Sequence, residues 1–267
     1  MGTVRGGGED QPSPLVAEIA EELGACVASP IWKKFADEHT TDSGDRRKDV
    51  EALLNHIREE IKDPKIIRVG TSFDGANALK DVADSDGDIV GGAVIVPHLD
   101  PRMCLKMRPR LEILKGLMRS NFNMLFPKFV EPLKIVGKAG ETALITEEGA
   151  TEKFLQTIGI DPADSEAVKK WLKEENWFSG ATFAKYFMTN WVLDKTLREI
   201  EVPVLAILAE EDKVIDPSLQ RKKLENIPDV QIKTLPSANH FDSIDPEAAW
   251  KETRAHLKTF FEKCFDS

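Results

Sequence analysis

Four short, mainly apolar segments most constrain what this sequence can fold into. They form two pairs, one on each side of the central part of the chain. They are Ile66–Val69, Ile89–Val96, Val204–Leu208 and Val230–Leu235. Each is rich in β-branched residues, and helix-period stretches lie between and after them. This alternation predicts a parallel sheet with crossover helices. The near-continuous apolar run Ile89–Val96 is typical of a strand that is covered on both faces.

The stretches around these segments have the apolar spacing of helices. They are Pro14–Leu23, Asp45–Ile61, Phe73–Ala83, Ser218–Leu224 and Pro246–Phe261. Gly24 stops the first of them, and Asp63-Pro64 ends the second. A short strand is also expected at Ala25–Ala28.

The alternation is interrupted between about residues 99 and 200. This part contains amphipathic stretches at Leu105–Phe122, Glu166–Glu175 and Gly180–Trp191, separated by Pro and Gly breaks. We therefore predict an α/β core formed by residues 1–98 and 201–267. Residues 99–200 are predicted to be a helical insertion in this core.

Composition excludes some classes of function. The net charge of -10 argues against a nucleic-acid surface, because such surfaces depend on clustered Lys and Arg. The three cysteines are widely separated, which favours a reducing compartment over a disulfide framework or a zinc site. No apolar run is long enough to cross a bilayer, and the N-terminus lacks the apolar core of a secretion signal. We expect a cytoplasmic protein without a membrane or nucleic-acid partner; the oligomeric state is left open.

The stretch Val69-Gly-Thr-Ser-Phe-Asp-Gly lies between a predicted strand and a predicted helix. This is the position of a nucleophile elbow, a tight turn that exposes one side chain above the sheet. In the usual spelling, Gly-x-Ser-x-Gly, the serine here is Ser72, and Asp74 replaces the last glycine. A second register makes Asp74 the nucleophile, and an inert strand-turn-helix is a third interpretation. The strand that ends at Gly70 favours Ser72.

A serine nucleophile needs a base and an acid. His240 lies just after the last predicted strand and just before the last helix, in the chain order Ser, Asp, His. The acid is expected after the preceding strand, where Asp212 is the first choice and Asp216 is more suited to capping the next helix. Asp100 is the alternative acid, and His98 is a candidate pocket residue.

An oxyanion hole needs two preorganised backbone donors. The N–H of Phe73, directly after the nucleophile, is one candidate. The second is expected from Gly7 or Gly8 in the glycine run at the chain start, because glycine allows the backbone to approach a ligand closely. A tail without such a role is the competing interpretation of that run.

With these residues in place, the chain resembles the α/β-hydrolase superfamily from about residue 4 to residue 265. It is most similar to hydrolases and polyketide acyltransferases of secondary metabolism and to X-Pro-peptidase-like members. The likeness rests on Gly-Thr-Ser72-Phe-Asp-Gly, the stretch Phe129–Leu144, Pro203-Val-Leu with Asp212, and Asn239-His240-Phe-Asp. It implies a Ser72, Asp212 and His240 triad under a lid, acting on a small acyl ester or thioester without a metal or redox cofactor.

The sequence also departs from that superfamily. Asp74 stands where the family has glycine, and two further strands are expected before the glycine run. The N-terminal strands therefore look shortened. Three functions remain open at this point: an esterase or thioesterase, an acyltransferase on the same triad, and an inactive binding protein on a hydrolase scaffold.

Overall fold

The core of the fold is a four-stranded parallel sheet. The computed structural model describes residues 14–28, 43–85, 87–100, 133–136, 143–145, 151–152, 155, 160–174, 177–178, 192–212, 214–240 and 250–266. The four strands are β1 (Ile66–Thr71), β2 (Ile89–Ile95), β6 (Val204–Ala209) and β7 (Val230–Leu235), in the order β1-β2-β6-β7. All three pairings are parallel, so every carboxyl end lies at the same edge of the sheet. The predicted α/β sheet is confirmed.

Helices cover both faces of this sheet. The described helices are α1 (Pro14–Glu22), α2 (Ser43–Glu60), α3 (Phe73–Ala83), α4 (Ser165–Glu174), α5 (Asp194–Arg198), α6 (Pro217–Leu224) and α7 (Trp250–Asp266). Buried residues of α1 and α7 pack with one face of the strands, and those of α2, α3 and α6 pack with the other. Strands buried on both faces account for the continuous apolar runs in the sequence.

Most element predictions are confirmed within a few residues. The prediction of a strand at Ala25–Ala28 is wrong, because residues 25–28 belong to no strand. Gly24 adopts a positive φ of 61° directly after α1, and the Ala25 amide bonds back to the Ala20 carbonyl at 2.8 Å. The residues that looked like a strand therefore begin with the C-terminal cap of α1.

The insertion differs from the prediction of an all-helical segment. It contributes a second sheet in the order β4-β3-β5, formed by β3 (Leu133–Val136), β4 (Ala143–Ile145) and β5 (Trp177–Phe178). Helix α4 matches one of the three predicted helices. The other two, Leu105–Phe122 and Gly180–Trp191, lie outside the described residues, as does the start of the predicted C-terminal helix.

Within the ranges given above, none of the helices has both the length and the apolar composition that a transmembrane span requires.

Candidate active site

Polar side chains from four chain segments meet at the carboxyl edge of the parallel sheet. Ser72 follows β1, His98 and Asp100 follow β2, Asp212 follows β6, and His240 follows β7. Adjacent strands lie about 4.8 Å apart, so β1 and β7, at opposite edges of this sheet, are separated by roughly 14 Å. The segment after β7 runs over the neighbouring strand, because the Glu211 amide, after β6, donates to the Ala238 carbonyl at 2.9 Å. Two residues later, the His240 side chain reaches the residue that follows β1.

Ser72 occupies the sharp turn between β1 and α3. Its φ of 49° and ψ of -116° lie outside the regions that non-glycine residues prefer. Such a conformation costs on the order of 1–3 kcal/mol and persists only where the surroundings fix it. The Ser72 amide donates to Ile95 O at 2.9 Å, and its carbonyl accepts from the amides of Gly75 at 3.1 Å and His98 at 2.7 Å.

Two glycines are required by the close approach of the chain around this turn. A Cβ on Gly70 would lie 2.7 Å from the Ala78 Cβ and from the Asp74 carbonyl oxygen. A Cβ on Gly75 would lie 2.6 Å from the Pro97 Cβ. The glycine that packs closely against the end of β2 is therefore Gly75, one position later than in the Gly-x-Ser-x-Gly motif. This shift explains why the turn at Ser72 forms although position 74 is an aspartate.

The side chain of Ser72 is directed at an imidazole. Ser72 does not cap α3 with its hydroxyl, and its Oγ lies 3.0 Å from His240 Nε2. On the other side of the ring, His240 Nδ1 lies 2.8 Å from Asp212 Oδ2. When Nδ1 donates its proton to Asp212, the neutral ring presents Nε2 as an acceptor for the Ser72 hydroxyl. The three groups thus have the spacing of a nucleophile, a base and an orienting acid.

Asp212 is held in place by its own turn. It is 1% exposed, and its Oδ1 accepts from the amides of Val214 at 2.8 Å and Ile215 at 2.7 Å. Its two oxygens therefore have separate partners, one the backbone and the other His240. Asp216 instead caps α6, because its carboxylate accepts from the amides of Ser218 and Leu219. The capping role expected for Asp216 is confirmed.

His98 and Asp100 are buried beside the same site. His98 is 0% exposed and Asp100 is 3% exposed. Burial, and next the nearby His240, lower the pKa of His98 to about 3, although Asp100 acts in the opposite direction. An Asp100 oxygen lies 4.0 Å from the Lys223 ammonium. His98 is therefore a neutral, buried neighbour of His240. The carboxylate that contacts His240 Nδ1 at 2.8 Å is that of Asp212, the first choice of acid.

Arg68 is a functional candidate that the sequence analysis missed. It is 0% exposed in the middle of β1, and its guanidinium contacts both Asp74 and Asp81 of α3. The signal was present in the sequence: a charged residue interrupts the apolar run Ile66–Val69, and two aspartates follow seven residues apart on one helix. A buried charge of this kind needs a partner of opposite sign.

The expected oxyanion donors are only partly described. Phe73 is the first residue of α3, so its backbone N–H lies at a helix N-terminus, where the helix supplies no acceptor. Gly7 and Gly8 lie outside the described residues, and their role stays a prediction.

A family model described as serine aminopeptidase, S33, matches residues 36–247, which is most of the chain. The chain belongs to the serine aminopeptidase S33 family. This places it in the α/β-hydrolase superfamily and confirms the predicted fold. No significant match is found among curated protein sequences.

Solved structures of this superfamily resemble the chain at low sequence identity. The metagenome-derived lipolytic enzymes LipS and LipT give 15% identity, coverage of 98% of this chain and 93% of that chain, and a TM-score of 0.62. A soluble variant of monoglyceride lipase from Saccharomyces cerevisiae gives 17% identity, coverage of 86% of this chain and 72% of that chain, and a TM-score of 0.58. Naproxen esterase from Bacillus subtilis gives 14% identity, coverage of 96% of this chain and 85% of that chain, and a TM-score of 0.55. These likenesses show a shared fold.

Proposed function

We propose that this S33-family chain is a serine hydrolase of small acyl esters or thioesters. One observation carries the proposal: Ser72 Oγ, His240 and Asp212 form a continuous chain with separations of 3.0 and 2.8 Å. The strained elbow and the buried, backbone-anchored acid support it, because both are features of a preorganised nucleophilic site. Ester-cleaving enzymes among the proteins of the same fold agree with this class of reaction.

The reaction follows the roles of the three groups. Ser72 Oγ attacks the acyl carbonyl while its proton passes to His240 Nε2, and Asp212 stabilises the imidazolium. The Phe73 N–H is the proposed donor to the oxyanion, with Gly7 or Gly8 as the candidate for a second donor. As the tetrahedral adduct collapses, His240 gives the proton to the leaving alcohol or thiol. Water, deprotonated by His240, then releases the acid from the Ser72 ester.

Acyl transfer on the same triad is the second candidate function. It differs only in the last step, in which an alcohol or amine replaces water at the acyl-enzyme. The resemblance to polyketide acyltransferases favours it, and the outcome depends on how well residues 99–200, the proposed lid, exclude water.

The proposal is tested with p-nitrophenyl esters of increasing acyl chain length and the matching thioesters. Turnover is expected with a pre-steady-state burst of p-nitrophenol that approaches the enzyme concentration for esters whose acyl-enzyme is hydrolysed more slowly than it forms. Aminoacyl p-nitroanilides are included because of the family's name. Added alcohol or amine separates the two candidates: an acyltransferase gives a new ester or amide, and a hydrolase gives the free acid.

Two rival interpretations are distinguished by the same assay. An inactive binding protein gives neither a burst nor steady turnover with any substrate. In an Asp74 enzyme, Ser72→Ala retains turnover and Asp74→Asn does not. The structure argues against the second rival, because both Asp74 oxygens accept from Arg68, at 3.2 and 3.3 Å.

A further inference from the structure

The elbow is supported from below by a buried arginine. Arg68 lies three residues before the last residue of β1, and its side chain is 0% exposed. It faces α3, the helix that begins directly after Ser72. A guanidinium removed from water in this way is costly unless charged partners and hydrogen bonds compensate it.

Two aspartates of α3 provide the compensation. Arg68 Nε donates to Asp81 Oδ2 at 2.8 Å, and Nη1 and Nη2 donate to the two Asp74 oxygens at 3.2 and 3.3 Å. Nη1 also donates to the Val69 carbonyl. The fork on Asp74 is bidentate, which fixes orientation as well as distance.

The spacing of the two aspartates allows Arg68 to contact two turns of α3. Asp74 is the second residue of α3, and Asp81 is seven residues later, about two helical turns along the same face. One guanidinium therefore spans two turns of α3 and fastens them to β1. We call Arg68, Asp74 and Asp81 the elbow clamp.

We propose that Arg68 and Asp74 are positioning residues that hold Ser72 in its strained conformation and the Phe73 N–H in line with it. The inference rests on the proposed function, in which Ser72 is the nucleophile. Asp74 is separated from Ser72 by one residue and lies in the first helical turn. Tethering it to β1 leaves the chain between them little freedom to relax the turn.

The charges of the clamp agree with this role. Burial lowers the pKa of the Arg68 guanidinium, but the charges of Asp74 and then Asp81 outweigh burial, so the pKa is raised overall. Burial raises the pKa of Asp81, which the charge of Arg68 only partly offsets. Arg68 is therefore a permanent cation, and it balances the carboxylate that replaces the usual glycine beside the oxyanion site.

The test compares Asp74→Asn with a matched control elsewhere in the protein. Asp88, like Asp74, has a side chain that is 14% exposed, and it also accepts a bidentate contact, from Arg58 at 2.7 and 3.0 Å. It precedes β2, at the sheet edge opposite the site. Asp88→Asn therefore removes a bidentate contact of similar geometry, made to a more exposed arginine, without touching the elbow.

Two readouts are needed. The first is the rate of inactivation by a fluorophosphonate, separated into kinact and KI. Asp74→Asn is expected to lower kinact by about tenfold, the equivalent of one charge-assisted hydrogen bond, with KI changed by less than about twofold. The second is amide hydrogen exchange of the peptide that contains residues 72–76, which is expected to be faster in Asp74→Asn. Asp88→Asn is expected to match wild type in both.

Arg68→Lys is the second variant, because it keeps the charge and loses the bidentate fork. It is expected to shift both readouts in the same direction as Asp74→Asn. Faster exchange with an unchanged kinact would overturn the positioning role, since the clamp would then only stabilise α3. Unchanged exchange in both variants would overturn the clamp itself. Wild-type protein that does not label would instead overturn the proposed function. The hydrogen-exchange comparison would then still show whether Arg68 and Asp74 hold the turn at residues 72–76.

Discussion

The buried imidazole of His98 makes protein stability depend on pH in a predictable way. Burial, and next the proximity of His240, lower its pKa from 6.5 to about 3 in the folded protein. Unfolding exposes the ring and returns its pKa to about 6.5. Below that pH the unfolded chain binds a proton that the folded chain does not, so the free energy of unfolding falls as pH decreases from 6.5 towards 3.

The magnitude follows from the same interval. From 6.5 to about 3, at ~1.36 kcal/mol per pH unit, the full loss is roughly 5 kcal/mol. At pH 4.5, two units below the unfolded value, it is about 3 kcal/mol. Titration of other groups adds to the acid sensitivity of wild type and variant alike, so the difference between them isolates His98.

The assay is urea unfolding of wild type and His98→Gln at about pH 7 and about pH 4.5. Wild type is expected to lose about 3 kcal/mol more than the variant between the two pH values. The constant cost of replacing a buried ring cancels in this comparison. His56→Gln, at an exposed position on α2, controls for loss of an imidazole. Equal losses in wild type and His98→Gln would refute the reasoning.

Two further predictions concern the site. Gly70→Ala places a Cβ against Ala78 and the Asp74 carbonyl. We therefore expect a loss of about 1–3 kcal/mol in the free energy of unfolding, measured with urea, and a lower kcat for ester hydrolysis. Wild-type values for both would contradict the close approach at Gly70. Asp212→Asn keeps the shape of the acid but favours the wrong tautomer of His240, so kcat is expected to fall by about 10³–10⁴ with little change in KM, and a kcat within tenfold of wild type would assign the orienting role elsewhere.

Much of the fold was predictable because the sheet is buried on both faces. Continuous apolar runs gave β2 and β6 to within a residue, and α3 matched at both ends. Strand β7 also matched, although its sequence is half polar and most of its residues are partly exposed. The Ala25–Ala28 prediction failed because a short apolar run contains no information about whether a neighbouring strand exists. The small sheet of β3, β4 and β5 was missed for a related reason: strands of two to four residues are too short to show a period.

That Ser72, Asp212 and His240 lie together was predictable from chain order, because the carboxyl ends of parallel strands share one edge. The end of the predicted strand favoured Ser72 over Asp74, but the sequence alone did not show what Asp74 does instead. The role of Asp74 depends on a three-dimensional contact, because its carboxylate is bound by Arg68, whose position within a predicted strand does not reveal its partner. The backbone anchoring of Asp212 was equally hidden, because it depends on the turn that follows β6.

The central claim is that Ser72 is a nucleophile activated by His240. It is tested most directly by fluorophosphonate labelling of folded protein, with the modified peptide identified by mass spectrometry. Wild type is expected to label at Ser72, Ser72→Ala not at all, and His240→Ala at least about 10³-fold more slowly, whereas the exposed-histidine variant His56→Ala labels like wild type. Wild-type protein that stays unlabelled, or Ser72→Ala that labels as fast as wild type, would contradict the account.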